Sequence, residues 1–152
     1  MTTTSTTTDD FTAVVHLPAD PETVVGWFTS SEGVSRWWGP TEGDGAVGGI
    51  LTTTFGEHGT NSMRVLEADA THVVWESIIP EGSNPTYHAP EWLGTRMEFV
   101  VVPASDGSEL RFCHVGLTPR LECWDVCFEG WTFFMSSIET LAKTGSGTPF
   151  EV

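Results

Sequence analysis

The chain has 152 residues, 39% of them hydrophobic and including seven Trp and nine Phe, enough to bury a core in a single domain without staples. Its 21 acidic side chains against six basic ones give a formal charge of −15. A surface that negative repels phosphate backbones and anionic headgroups, which argues against nucleic acid and peripheral membrane binding.

Residues 1–10 are a Thr/Ser run with neither a basic start nor an apolar stretch, so they read as a disordered tail and not as a signal peptide. No apolar run approaches the roughly 20 residues of a spanning helix. Three cysteines, Cys113, Cys123 and Cys127, are an odd and sparse set that fits a reducing cytoplasm and no disulfide framework. Phe11, Ala13, Val15 and Leu17 alternate onto one face and predict the first strand. Asp20-Pro21-Glu22 then supplies a capping carboxylate, a proline at the first helical position and an acidic first turn. This helix is expected to run to Thr29, burying Val24, Val25 and Phe28. Ser31 opens a second short helix that ends near Trp37-Trp38-Gly39-Pro40.

Residues 45–117 read as β throughout. Strands are predicted at 50–55, 61–67, 72–79, 92–102 and 109–117, the last two joined by a hairpin turn at Ser105-Asp106-Gly107. The short connections imply an antiparallel meander. Residues 80–90 form the longest loop, placed to cover an opening. In the last element Cys123, Trp124, Cys127, Phe128, Trp131, Phe134, Met135, Ile138, Leu141 and Ala142 fall within about 140° of a helical wheel. So wide and aromatic a face must lie against the meander. The expectation is one α+β domain over residues 11–143, with a flexible Gly/Ser/Thr/Pro-rich tail at 144–152.

Several short motifs stand in a fixed order: Leu17 through Val24, Arg36-Trp37-Trp38, Gly48-Gly49 and Val73-Val74-Trp75. Further on come Glu91-Trp92-Leu93-Gly94-Thr95 leading into Met97-Glu98-Phe99, then Gly130-Trp131 with Leu141 downstream. Together with the order of elements, they resemble the helix-grip fold of the START/Bet v 1-like (SRPBCC) superfamily, a curved antiparallel sheet wrapped around a long C-terminal helix. The details are most similar to its Hsp90-ATPase-activator-homologue-like branch. The resemblance implies a space between sheet and helix in which members hold lipids, hormones or polyketides, and where a minority catalyse cyclisation. The branch takes its name from a co-chaperone in which the homologous domain is one part of a larger protein.

Strand alternation turns Met63, Val65, Val73, Trp75, Ser77, Ile79, Met97, Phe99, Val101, Leu110, Phe112 and His114 toward the long helix. Opposite them stand Trp131, Phe134 and Met135. Two readings fit. In one, Met63, Trp75, Met97, Phe99, Phe112, His114, Trp131, Phe134 and Met135 line an apolar ligand pocket; in the other, the same side chains interlock and fill it. His114 is either an acid, base or ligand-orienting donor, or a neutral core histidine with one satisfied hydrogen bond. Tyr87 and His88, in the long loop, can reach the pocket mouth, while Glu57 and His58 in a Gly-flanked turn read as solvated. Trp37-Trp38 closes the core with one ring partly exposed, or forms a partner patch.

The cysteines lack a fourth ligand and a CxxC spacing, so no metal is expected. No GxSxG, P-loop, GxGxxG or HExxH motif occurs. The leading expectation is a cytoplasmic module that binds a small apolar or aromatic molecule without a cofactor. A cyclase- or aromatase-like enzyme using His114, and a chaperone-regulating module, are the alternatives. A homodimer through a sheet edge or the tryptophan pair is compatible with the sequence, which does not demand it.

Overall fold

The computed structural model describes residues 9–151. Strand β1 (Phe11–Leu17) leads into two short helices, α1 (Pro21–Gly26) and α2 (Ser31–Ser35). Asp20 accepts the Thr23 hydroxyl at 2.7 Å and Ser30 Oγ accepts the Gly33 amide at 2.9 Å, so each helix starts on a satisfied cap. α1 stops at Gly26, short of the predicted Thr29. The two helices cross so closely that a Cβ on Gly33 would stand 2.2 Å from the Gly26 carbonyl oxygen. Only glycine permits that crossing.

The remaining strands are β2 (Thr41–Gly43), β3 (Ile50–Thr54), β4 (Thr60–Ala68), β5 (His72–Ile78), β6 (Arg96–Ala104) and β7 (Gly107–Val115). All seven form one antiparallel sheet in the order β1-β7-β6-β5-β4-β3-β2. The register sets Val65 opposite Trp75, Trp75 opposite Met97, Met97 opposite His114 and Phe99 opposite Phe112. The predicted inner face is the observed one, and every one of these residues is buried. A bulge between Val65 and Glu67 interrupts the β4–β5 ladder, a feature that bends and twists a strand.

Helix α4 (Trp124–Thr144) packs on that face through Cys127, Trp131, Met135, Ile138 and Leu141. The expected apolar stripe is too wide at one edge: Phe128 is 44% exposed and meets only the edge of the sheet, its ring 5.4 Å from Phe11. This is the helix-grip, α+β architecture. Among the described residues no helix is long and apolar enough to cross a membrane.

Four local expectations are corrected. Residues 92–95 are not strand: Pro90 opens helix α3 (Ala89–Trp92), Gly94 turns at φ 84°, and the Thr95 hydroxyl donates to the Trp92 carbonyl at 2.6 Å, so β6 begins only at Arg96. The edge strand β2 carries no alternating pattern in its three residues and was not predicted. Both Trp37 and Trp38 are buried, because the α1–α2 crossing aims them between sheet and α4, where Trp37 Nε1 donates to the Trp27 carbonyl at 2.9 Å.

The fourth correction concerns the termini. Residues 147–150 are pinned, not frayed: the Thr148 amide donates to Ser137 Oγ at 2.8 Å and the Phe150 amide to the Trp38 carbonyl at 2.9 Å. At the other end, Asp10 Oδ1 accepts the Gly116 amide at 3.1 Å and Asp9 pairs with Arg120 at 2.9 Å. The rest of the predicted N-terminal tail, residues 1–8, lies outside the described residues.

Candidate functional site

The layer between sheet and helix is filled. Phe28, just past the end of α1, stacks on Phe99 with centroids 4.3 Å apart, Phe99 meets Trp75 at 4.7 Å and Phe112 at 5.0 Å, and Phe112 meets Trp131 at 4.5 Å. Met63, Trp75, Met97, Phe99, Phe112 and His114 are thus core, not pocket lining, because α1 and α2 deliver Phe28, Trp37 and Trp38 into the space that the pocket reading left open. Met135 lies elsewhere, beside a shallow groove of about 380 Å³ that runs along the edge strand β1.

A cavity of about 610 Å³ opens instead at one end of the sandwich. One wall is α4, through Val126, Cys127, Gly130, Trp131 and Phe134; of the nine predicted pocket residues only Trp131 and Phe134 line it. The 3-10 turn Gly56–His58 brings Glu57 and His58, β4 brings Asn61, and Phe55 and Trp38 close the far side. The long 79–88 connection covers this opening as its length suggests, with Thr86, Tyr87 and His88 lining the cavity and Trp92 of α3 behind them. Phe150 completes the wall from the pinned C-terminal segment, its ring 5.5 Å from Phe55 and 6.3 Å from His58.

The aromatic wall is ordered by stacking. Trp92 lies parallel to Trp131 (5.9 Å, 7°), Trp131 to Trp38 (5.3 Å, 22°), and Trp38 to Trp37 (5.6 Å, 10°) and Trp75 (6.0 Å, 17°). Offset parallel rings at these separations attract beyond their burial. Each indole N–H that has a partner draws on a different element: Trp131 Nε1 donates to His114 Nδ1 at 3.0 Å and Trp92 Nε1 to Cys127 Sγ at 3.3 Å. α3 is tied to the start of α4 by Glu91, whose carboxylate accepts the Cys123 amide at 2.7 Å and the Glu122 amide at 3.0 Å. The Cys123 amide, followed by that of Glu122, holds the Glu91 pKa below its ordinary value.

His114 sits one layer behind the cavity with no surface exposed. Nδ1 accepts from Trp131, so Nε2 carries the proton and donates to Thr95 Oγ1 at 2.7 Å. Burial lowers its pKa to about 3, the neighbouring His88 adding to the effect. Both nitrogens are committed and the ring stays neutral, which corrects the reading of His114 as a catalytic or ligand-orienting group: it is a structural hydrogen-bond hub. His88, by contrast, lines the cavity, with Nε2 3.1 Å from Thr86 Oγ1 and 3.3 Å from Asn61 Nδ2. Burial lowers its pKa to about 4, partly offset by Glu91.

Cys127 is buried, and desolvation raises the pKa of its thiol, which makes it a poor nucleophile. Among the described residues no group of three or more His, Cys, Asp and Glu side chains could hold a metal ion.

Sequence reasoning found Tyr87 and His88 but missed Trp38, Phe55, Asn61, Thr86, Gly130 and Phe150. Gly130 carried a signal: a lone glycine inside a strongly amphipathic helix costs stability and asks for a local reason.

No protein-family model matches the chain, and no curated protein matches it. Solved structures do. The Aha1 dimer from Colwellia psychrerythraea is 21% identical, with 91% of this chain and 98% of that one covered at a TM-score of 0.75. Protein MLL2253 from Mesorhizobium loti is 18% identical over 88% of this chain and 96% of its own, at a TM-score of 0.72. DynU16, a putative protein in the dynemicin biosynthetic locus, is 17% identical over 91% of this chain, at a TM-score of 0.69; the match spans 49% of the DynU16 chain. What the chain shares with them is a fold, a curved antiparallel sheet gripping a long C-terminal helix.

Proposed function

We propose that this protein binds a small apolar or aromatic molecule, without a cofactor, in the cavity between α4, α3, the Gly56–His58 turn and the C-terminal segment. The observation that carries the reading is the cavity itself: about 610 Å³, with Trp38, Phe55, Trp92, Trp131, Phe134 and Phe150 in its wall. Ligand sites typically enclose about 300–1,000 Å³ and combine such a lining with a few convergent polar groups. Here those groups are Asn61, Thr86 and His88. Burying an apolar ligand against this wall releases about 25 cal/mol for each Å² removed from water.

A fluorescent apolar probe, N-phenyl-1-naphthylamine, tests the reading, together with native mass spectrometry for stoichiometry. Saturable enhancement with one probe per chain is expected. A protein that neither enhances the probe nor carries it into the gas phase is closed to such ligands, and the reading falls.

A further inference from the structure

One patch of the cavity wall is polar, and two separate elements build it: Asn61 from β4, and Thr86 and His88 from the end of the 79–88 connection. Asn61 and Thr86 are each only 3% exposed, so their hydrogen bonds are made to one another and not to bulk water. The Thr86 hydroxyl donates to Asn61 Oδ1 at 2.7 Å. Having spent its proton, Thr86 Oγ1 can only accept from His88 Nε2 at 3.1 Å, which puts the ring proton on Nε2 and the lone pair on Nδ1. Asn61 Nδ2, at 3.3 Å from Nε2, is the longer contact and faces an N–H in this arrangement. Among the described residues Nδ1 has no hydrogen-bond partner, and the His88 side chain does not cap its own helix.

The charge of the site points the same way. Among the described residues Glu57 is the carboxylate at the cavity, and neither a lysine nor an arginine lines it. A carboxylate or phosphate brought here would lose its hydration with no cation to receive it, inside a chain of formal charge −15.

We propose that the ligand class is an uncharged aromatic molecule carrying a hydroxyl group, with its rings against Trp38, Trp131 and Phe134 and its hydroxyl on His88 Nδ1. The inference rests on the binding reading above and deepens it. A hydroxyl suits the nitrogen, since it donates to the lone pair that Thr86 and Asn61 fix in place. Burial keeps the imidazole neutral at pH 7, so the bond it offers is that of a neutral acceptor.

Three probes sharing one ring system separate the possibilities by titration against the intact chain at pH 7: 2-naphthol, naphthalene and 2-naphthoate. The expected order is naphthol tighter than naphthalene by about five- to tenfold, the usual yield of one hydrogen bond to a buried neutral partner. Naphthoate is expected to bind at least about tenfold more weakly than naphthol. In His88→Phe the preference for naphthol over naphthalene disappears. Thr86→Val, a near-isosteric change that frees the imidazole, shrinks the preference and serves if His88→Phe does not fold.

Naphthalene binding as tightly as naphthol to the unmodified protein overturns the hydroxyl assignment but leaves the binding reading standing. So does a preference that survives in His88→Phe. Naphthoate binding as tightly as naphthol overturns the exclusion of anions. If none of the three binds, the binding reading fails, and this inference with it.

Discussion

Replacing Gly130 tests where the ligand sits, because it separates stability from binding. Gly130 lies in the interior of α4 and in the cavity wall, and a Cβ built there meets no atom within 4 Å. Alanine at such a position removes the backbone-entropy cost of glycine, about 0.5–1 kcal/mol, and so raises Tm by about 1–4 °C for a chain of this size. The single methyl narrows the cavity only slightly, so Gly130→Ala is expected to bind N-phenyl-1-naphthylamine within about threefold of the unmodified protein, below about 0.7 kcal/mol. Gly130→Leu has nearly the same helix propensity but projects four carbons into the space the ligand needs. It is expected to stay at least as stable as the parent in thermal unfolding while losing at least about tenfold in affinity, or 1.4 kcal/mol. A leucine variant that binds the probe normally would place the ligand elsewhere. A leucine variant that unfolds early would refute the open space at this position.

The two buried indoles Trp131 and Trp75 should respond unequally to phenylalanine. Trp131→Phe strands the lone pair of His114 Nδ1 in a dry core and is expected to cost about 2–4 kcal/mol in urea unfolding. Among the described residues the buried Trp75 Nε1 has no partner, so Trp75→Phe removes an orphan donor along with some packing and should fall within about 1.5 kcal/mol of the parent. Equal costs would contradict the hydrogen-bond assignment. Stability should also fall on acidification: the folded pKa values of His114 and His88 are depressed to about 3 and about 4, so the unfolded chain takes up protons first once pH drops below the ordinary histidine value of 6.5. Each histidine then contributes about 1.4 kcal/mol of lost stability per pH unit down to its folded value. Urea midpoints between pH 6 and 4.5 should show His114→Gln losing stability about half as steeply as the parent; equal slopes would deny the depressed value. Phe150→Ala opens one cavity wall and is expected to weaken probe binding about tenfold with little change in Tm, read by the same two assays.

The sheet was legible because its inner face alternates cleanly. Met97, Phe99 and Val101, and Leu110, Phe112 and His114, could each point only one way once Arg96, Glu98 and Arg111 were turned to water. The long helix was legible from its period, except at Phe128, where a wheel cannot show that the sheet has ended. The cavity was not legible, for two physical reasons. Pattern tells which residues face inward but not how much volume they leave, and here Phe28, Trp37 and Trp38, which follow the ends of the two short helices, fill the central layer. The cavity wall also depends on long-range closures that leave no periodic trace. The clearest case is the segment ending at Phe150, held by Ser137 Oγ, which itself donates to the Trp37 carbonyl at 2.8 Å. Ser137 is fully buried although the wheel left it off the apolar stripe. His114 looked functional because a histidine among apolar neighbours is conspicuous; its partners Thr95 and Trp131 are 19 and 17 residues away and account for both nitrogens.

The most direct test of a ligand cavity at this end of the sandwich uses the seven indole N–H groups as reporters in a titration followed by proton–nitrogen NMR. With 2-naphthol added, the indole resonances of Trp38, Trp92 and Trp131 should shift along one saturable isotherm, because these three rings line the cavity. Those of Trp27 and Trp124, which do not line it, should stay in place. Shifts confined to Trp27 or Trp124, or a spectrum unchanged at saturating probe, would contradict the account.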